Sequence, residues 1–199
     1  MMHPCAELRY IPAEKGFGVV ATECIPKGTI TWVADALDQH FTEAQLAGFD
    51  VAYRRILDKY CYRDAQGLYI LCWDIARYVN HSYQSNCLTT PYNFELAVRD
   101  ILPGEELTDD YGYLNVDEPL YFPPEAGTER TAVYPDDLLR FHEQWDRQLM
   151  EAFACYAAVA QPLAPFVESC FQPVVAAVGA GRRRADSILN CYYRPGNRR

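Results

Sequence analysis

This chain has no long apolar run. Its most hydrophobic segment, residues 152–181, is interrupted by Gln161, Pro162, Pro165, Glu168 and Pro173, so nothing in it approaches the roughly 20 residues a helix needs to cross a bilayer. A secretory leader is not expected, because Pro4, Glu7, Arg9 and Glu14 occupy the place of the apolar core such a leader requires. Close cysteine pairs are missing as well. The eight cysteines (5, 24, 61, 72, 87, 155, 170 and 191) are scattered, whereas zinc sites and small disulfide scaffolds depend on neighbouring pairs. No metal is therefore expected, and most of the cysteines read as reduced, buried, small hydrophobes. Also absent is an alternation of strands and helices behind a glycine-rich loop, which excludes the doubly wound nucleotide-binding sheet. A soluble, intracellular protein is expected, in the cytoplasm with the nucleus left open, and without a membrane partner.

What is present is material for a core. Half of the 199 residues are hydrophobic and 14% are aromatic, with Tyr in excess at 15, enough for one domain with a helical appendage. Charge is unevenly placed. The last nineteen residues hold six Arg against one Asp, so a tail of +5 stands beside a remainder of −14 within the net −9. An acidic body suits a Lys- or Arg-rich partner and argues against a nucleic acid, although the same surplus also serves as a solubilising surface. Arg182, Arg183 and Arg184 then read as a solvated helix end.

Along the chain, residues 7–20 read as extended, with a turn-prone Glu14-Lys15-Gly16-Phe17-Gly18 between short strand-like pieces. Residues 25–28, Ile-Pro-Lys-Gly, form a turn, and 29–33 a strand. Thr42 and Gln45 make a capping box, so 42–58 is expected as a single helix burying Leu46, Phe49, Tyr53, Ile56 and Leu57. Strands over 60–63 and 68–72 flank a hairpin loop, and further strands fall at 94–98 and 106–108. Beyond residue 115 the pattern changes. Residues 116–134 read as a linker or cap, and Pro135 starts an amphipathic helix of about 25 residues whose buried face is Leu138, Phe141, Trp145, Leu149, Phe153 and Tyr156. A second, proline-broken helix is expected over 165–178, ending at Gly179-Ala180-Gly181. The domain reading is thus 1–115 as a catalytic unit with a helical insert at 42–58, 116–134 as linker, and 135–199 as a helical extension with a basic tail.

Three stretches carry the chemistry. Gly16-Phe17-Gly18 alone is a turn. Arg77-Tyr78-Val79-Asn80-His81-Ser82 alone is a polar segment in which Asn and Ser bond their own backbone. Followed in order by Glu106-Leu107-Thr108-Asp109-Asp110-Tyr111-Gly112-Tyr113, they resemble the SET domain of protein lysine methyltransferases, over residues 5–115. The resemblance implies a mainly β, α+β fold of short strands, in which the Asn-His-Ser and Tyr segments pass each other in a knot-like crossing, an exception to the avoidance of threading. It also implies S-adenosyl-L-methionine as methyl donor, contacted by Lys15, Gly16, Phe17, Gly18, Arg77, Asn80, His81 and Tyr111. The aromatic cluster Leu120-Tyr121-Phe122 is expected to fold over that donor, which adds Phe122.

Methylating a lysine requires the neutral amine, and at pH 7 removing the proton costs roughly 4.6 kcal/mol. An apolar channel lowers that cost by desolvation, and aligning two reactants contributes on the order of 7–11 kcal/mol. What remains is a hydroxyl or carbonyl lining the transfer pore. Tyr111 matches the family's tyrosine there, and Tyr113 is a candidate wall of the lysine channel. Several positions depart from the family pattern. Tyr83 stands where many relatives have Cys, and no Cys-x-Cys follows Tyr113, so a zinc-bearing cap is not expected. Ser85 replaces Pro. Asp109 fills a place that is often aromatic and affects how many methyl groups fit, and an acid there could bind a cation. The function expected is methyl transfer to lysine side chains of a basic protein or peptide. The alternatives are a catalytically silent partner-binding module and an enzyme for a small amine. The apolar face led by Trp145 and Phe153 is a candidate homodimer surface.

Overall fold

The computed structural model describes residues 1–11 and 16–194. Lys15 therefore lies outside the described residues, as does the end of the basic tail. The chain opens with β1 (Ala6–Ile11), β2 (Gly16–Ala21), β3 (Ile30–Val33) and β4 (Gln39–Phe41), followed by α1 (Glu43–Gly48) and α2 (Val51–Tyr60). Six short strands follow: β5 (Cys61–Arg63), β6 (Tyr69–Leu71), β7 (Asn80–His81), β8 (Cys87–Thr89), β9 (Phe94–Ala97) and β10 (Glu106–Asp109). Then come the hairpin β11 (Leu120–Tyr121) and β12 (Ala132–Val133), and the helices α3 (Asp137–Tyr156) and α4 (Gln172–Gly179). The architecture is α+β, with small sheets ordered β1-β2-β10-β7, β3-β9-β8 and β4-β6-β5.

One pairing positions the site. β7 runs parallel to β10, with Asn80 opposite Thr108 and His81 opposite Asp109. The two segments expected to cross are thus side by side, and the Ser82 amide donates to the Asp109 carbonyl at 2.9 Å. Asn86 fastens the same place from below: its side chain donates to the Glu106 carbonyl at 2.8 Å and accepts from the Thr108 amide at 2.9 Å.

The helical insert differs from its expectation. The capping box of Thr42 and Gln45 forms, but the helix stops at Gly48. Asp50 then caps a second helix by accepting from Ala52, because an Asx cap competes with helix continuation. Of the five residues expected to be buried only Leu57 is; Tyr53 is 62% and Ile56 54% exposed. The cysteines also depart from expectation. All are free, but only Cys72 and Cys87 are buried, and Cys24 and Cys170 are exposed.

α3 starts two residues after Pro135 and is shorter than the periodicity suggests, because residues 157–163 turn away after Tyr156. Of its expected buried face, Leu138, Trp145, Leu149 and Phe153 are inside, while Phe141 and Tyr156 are partly buried against them. Trp145 meets Tyr113 edge-to-face at 5.6 Å, and Phe153 meets Phe94 at 6.2 Å. That face packs on the chain's own β3-β9-β8 sheet in a single apolar cluster, so it is not available to a second copy. The turn at Gly28 lies against α3: with φ +89° it needs glycine, and a Cβ there would sit 2.6 Å from the Ala152 carbonyl. The proline-broken helix expected over 165–178 is a single 3-10 turn, Ala164–Phe166, and then α4 with Pro173 in its first turn. Within the expected linker, β11 and β12 pair antiparallel. No helix among the described residues is long and apolar enough to cross a membrane.

Candidate active site

The site is built where β7, β10 and the turn Tyr111–Tyr113 meet. The Tyr111 amide donates to Nδ1 of His81 at 3.2 Å, which sets the tautomer of that ring, and the Tyr111 hydroxyl donates to the Val79 carbonyl at 2.8 Å. His81 is buried and packs against Tyr111 at 5.3 Å and Phe122 at 4.1 Å. Phe122 thus packs on the motif residue His81. Its neighbour Tyr121, 75% exposed, points to solvent instead. Burial, with the nearby charges of Asp109 and Glu106, pushes the Tyr111 phenol well up, so it stays a neutral hydroxyl and acts as a dipole.

Asn80 belongs to the outer side of this junction. Its side-chain amide donates to the Phe17 carbonyl at 3.0 Å and to Oε1 of Glu106 at 2.6 Å. A Cβ on Gly18 would sit 2.5 Å from Oε1 of Glu106 and 3.0 Å from Nδ2 of Asn80, so any other residue there would displace the Asn80–Glu106 contact. Gly16 has φ +80° and nothing within 4 Å of where its Cβ would be. Phe17 is 52% exposed and lies edge-on to Tyr10 and Tyr78. The structure therefore gathers Gly16, Phe17, Gly18 and Asn80 on one open aromatic surface beside a carboxylate.

On the other side Tyr111 borders a cavity of about 700 Å³. Arg77 lines this cavity, with its guanidinium 5.3 Å over the Tyr78 ring. Tyr113 lines it from a fully buried position. Its hydroxyl is 2.9 Å from Oδ1 of Asp109 and accepts from the Asp110 amide, so from the cavity wall it holds an acid in place. Gly16, Phe17, Gly18, Asn80, His81 and Phe122 are outside the cavity lining.

Three residues of this region were not singled out from sequence. Arg130 bridges Asp110 and Asp137, both buried, and stacks over Tyr83 at 4.7 Å. Glu125 accepts from the Ser82 hydroxyl at 2.9 Å and from the Tyr83 amide at 3.0 Å, so the loop between β11 and β12 is tied to the Asn-His-Ser segment. Glu95 is a buried acid in the middle of apolar β9. A lone carboxylate in Phe94-Glu95-Leu96-Ala97 is a signal the sequence does carry.

Residues 16–112 match the family model of the SET domain. The chain carries a SET domain. The crystal structure of the methyltransferase domain of human histone-lysine N-methyltransferase SETMAR is similar to it at 22% identity and a TM-score of 0.45, covering 67% of this chain and 58% of that one. No curated protein matches the chain. The matched segment of the SET domain contains Gly16, Asn80, His81 and Tyr111 and ends at Gly112, one residue before Tyr113.

Proposed function

We propose that the protein is an N-methyltransferase that uses S-adenosyl-L-methionine and acts on lysine side chains of a basic protein or peptide. The observation that carries this assignment is the position of Tyr111. Its hydroxyl and the Val79 carbonyl sit together at 2.8 Å, with the large cavity on one side and the β7–β10 pairing on the other. Two oxygens at that junction are what a transfer pore needs, since a methyl group leaving a cation gains from nearby lone pairs.

The donor itself is a cation with an amino-acid end and an adenine ring. The open surface fits such a group: Phe17 and Tyr10 expose aromatic faces, and the Glu106 carboxylate lies beside the Asn80 amide. Bound there, it would supply a methyl group on a positively charged sulfur. This chain's residues orient it, through Asn80 and the main chain of residues 16–18, and keep water from the junction with His81 and Phe122. For the acceptor, among the described residues six carboxyls line the cavity against three basic side chains, which favours a cationic guest.

The test is incubation with a methyl-labelled donor and a panel of basic proteins, small amines and the chain itself. Label is expected on protein lysine, and Tyr111→Phe should lower turnover by about 100-fold while leaving donor affinity by calorimetry unchanged. Label on small amines alone would move the assignment to a small-molecule enzyme. Donor binding with no transfer to anything would make the protein a silent binding module.

A further inference from the structure

The proton of the incoming amine needs a destination, and Tyr111 cannot provide it, being held as a neutral phenol. Two carboxyls can. Glu95 of β9 and Asp109 of β10 are both buried, 8% and 6% exposed, both line the cavity that Tyr111 borders, and they hydrogen-bond each other. Two carboxyls in contact must share a proton, since both cannot ionise at that distance. A second feature indicates that this end of the cavity is built for a polar guest. Trp32 stands opposite Glu95 in the β3–β9 register, so its indole shares the Glu95 face, and it lines the same cavity. It is 5% exposed, and its Nε1–H has no acceptor among the described residues. Leaving a buried donor unmatched is costly, and an occupant carrying an acceptor removes the cost.

We propose that the Glu95–Asp109 pair is the seat of the substrate's primary ammonium group and the acceptor of its proton. This rests on the amine-methylation reading above and adds where the proton goes. One N–H bond of the ammonium breaks, an O–H bond forms on Asp109, and the electron pair stays on nitrogen. Burial lifts Asp109 to about 7, so near neutral pH a carboxylate is available part of the time. The groups facing the pair are Tyr113 and Tyr111 from the turn after β10, Asp110 beside Asp109, Cys87 of β8, Tyr62 and Cys72 across the cavity, and the amino group of Met1. Tyr113 donates to Asp109 and is therefore a positioning residue for it.

The test is calorimetry on the full chain with Nα-acetyl-lysine amide and its uncharged counterpart Nα-acetyl-norleucine amide, at pH 7 in two buffers of different ionisation enthalpy. The lysine compound should bind at least 10-fold more tightly and release protons to the buffer, because the partly protonated pair ionises to meet the cation. Asp109→Asn should abolish the proton release and the preference. Glu95→Gln, an isosteric change on another strand, should weaken both and serves if Asp109→Asn fails to fold. Equal affinity for the two compounds, or an unchanged proton count in a folded Asp109→Asn protein, overturns the proposal even if methyl transfer to lysine is found. Proton-linked binding without any methyl transfer upholds the seat and sinks the enzymatic reading instead.

Discussion

Asp109 is buried in the folded chain and solvated in the unfolded one, and that difference has a measurable sign. Burial, together with the neighbouring Asp110 charge, raises it from the ordinary 3.8 to about 7. Between those values the folded state keeps a proton that the unfolded state has lost. Its contribution to stability is therefore complete below about pH 4 and lost as pH rises through about 7, with a slope of up to roughly 1.4 kcal/mol per pH unit. Glu95 is shifted in the same direction by burial and by Asp109. Asp35 and Glu105, held below their ordinary values, act in the opposite sense at lower pH. The difference between wild type and Asp109→Asn isolates the buried acid. Urea unfolding at pH 5 and pH 7.5 should show wild type losing stability, relative to the variant, at the higher pH. In the sequence Asp109 was visible as a departure from an aromatic position. Its partner Glu95 was not paired with it, because only the β8-β9 hairpin brings residue 95 under residue 109.

At the scale of elements, the loop between β11 and β12 does more than connect. Arg130 from this loop holds an acid in each of two other elements: Asp110, which accepts from the Gly112 amide at 2.9 Å in the Tyr111–Tyr113 turn, and Asp137, the first residue of α3, which accepts from the Tyr134 amide at 3.1 Å. Both acids are 1% exposed, so removing the guanidinium leaves two buried carboxyls with less compensation. Arg130→Met should cost about 3–5 kcal/mol in chemical unfolding, well beyond the ±0.5 kcal/mol usual for a surface change. This clamp could not be read from sequence, since residues 110, 130 and 137 share no periodicity. The insert shows the opposite case. Its capping box was legible because it is local, whereas its burial was overestimated: periodicity shows that a face exists but not whether anything lies opposite it.

For the whole molecule, the C-terminal helices share an apolar core with β3, β8 and β9 of the SET segment. Trp145 of α3 packs on Tyr113, whose hydroxyl reaches Asp109. Asn115 joins the two parts again, donating to the carbonyls of Arg63 at 3.0 Å and Cys191 at 2.8 Å. Trp145→Ala should therefore destabilise by about 3–5 kcal/mol in a single cooperative transition followed by fluorescence and circular dichroism. Separate melting of an intact SET segment would contradict the shared core.

The sequence by itself determined what is local or ordered along the chain. The three motif stretches and their order, the turn at Gly28, the short strands and the amphipathic face of α3 all follow from neighbouring residues and short-range periodicity. Tertiary structure decided which of these stretches meet. It put Arg77 in the cavity lining and left Asn80 out of it, turned the Tyr113 hydroxyl onto an acid, and paired Glu95 with Asp109 in an enclosed space. Those outcomes depend on contacts between residues distant in the chain, and on burial, which sets charge and proton affinity only after the strands have come together.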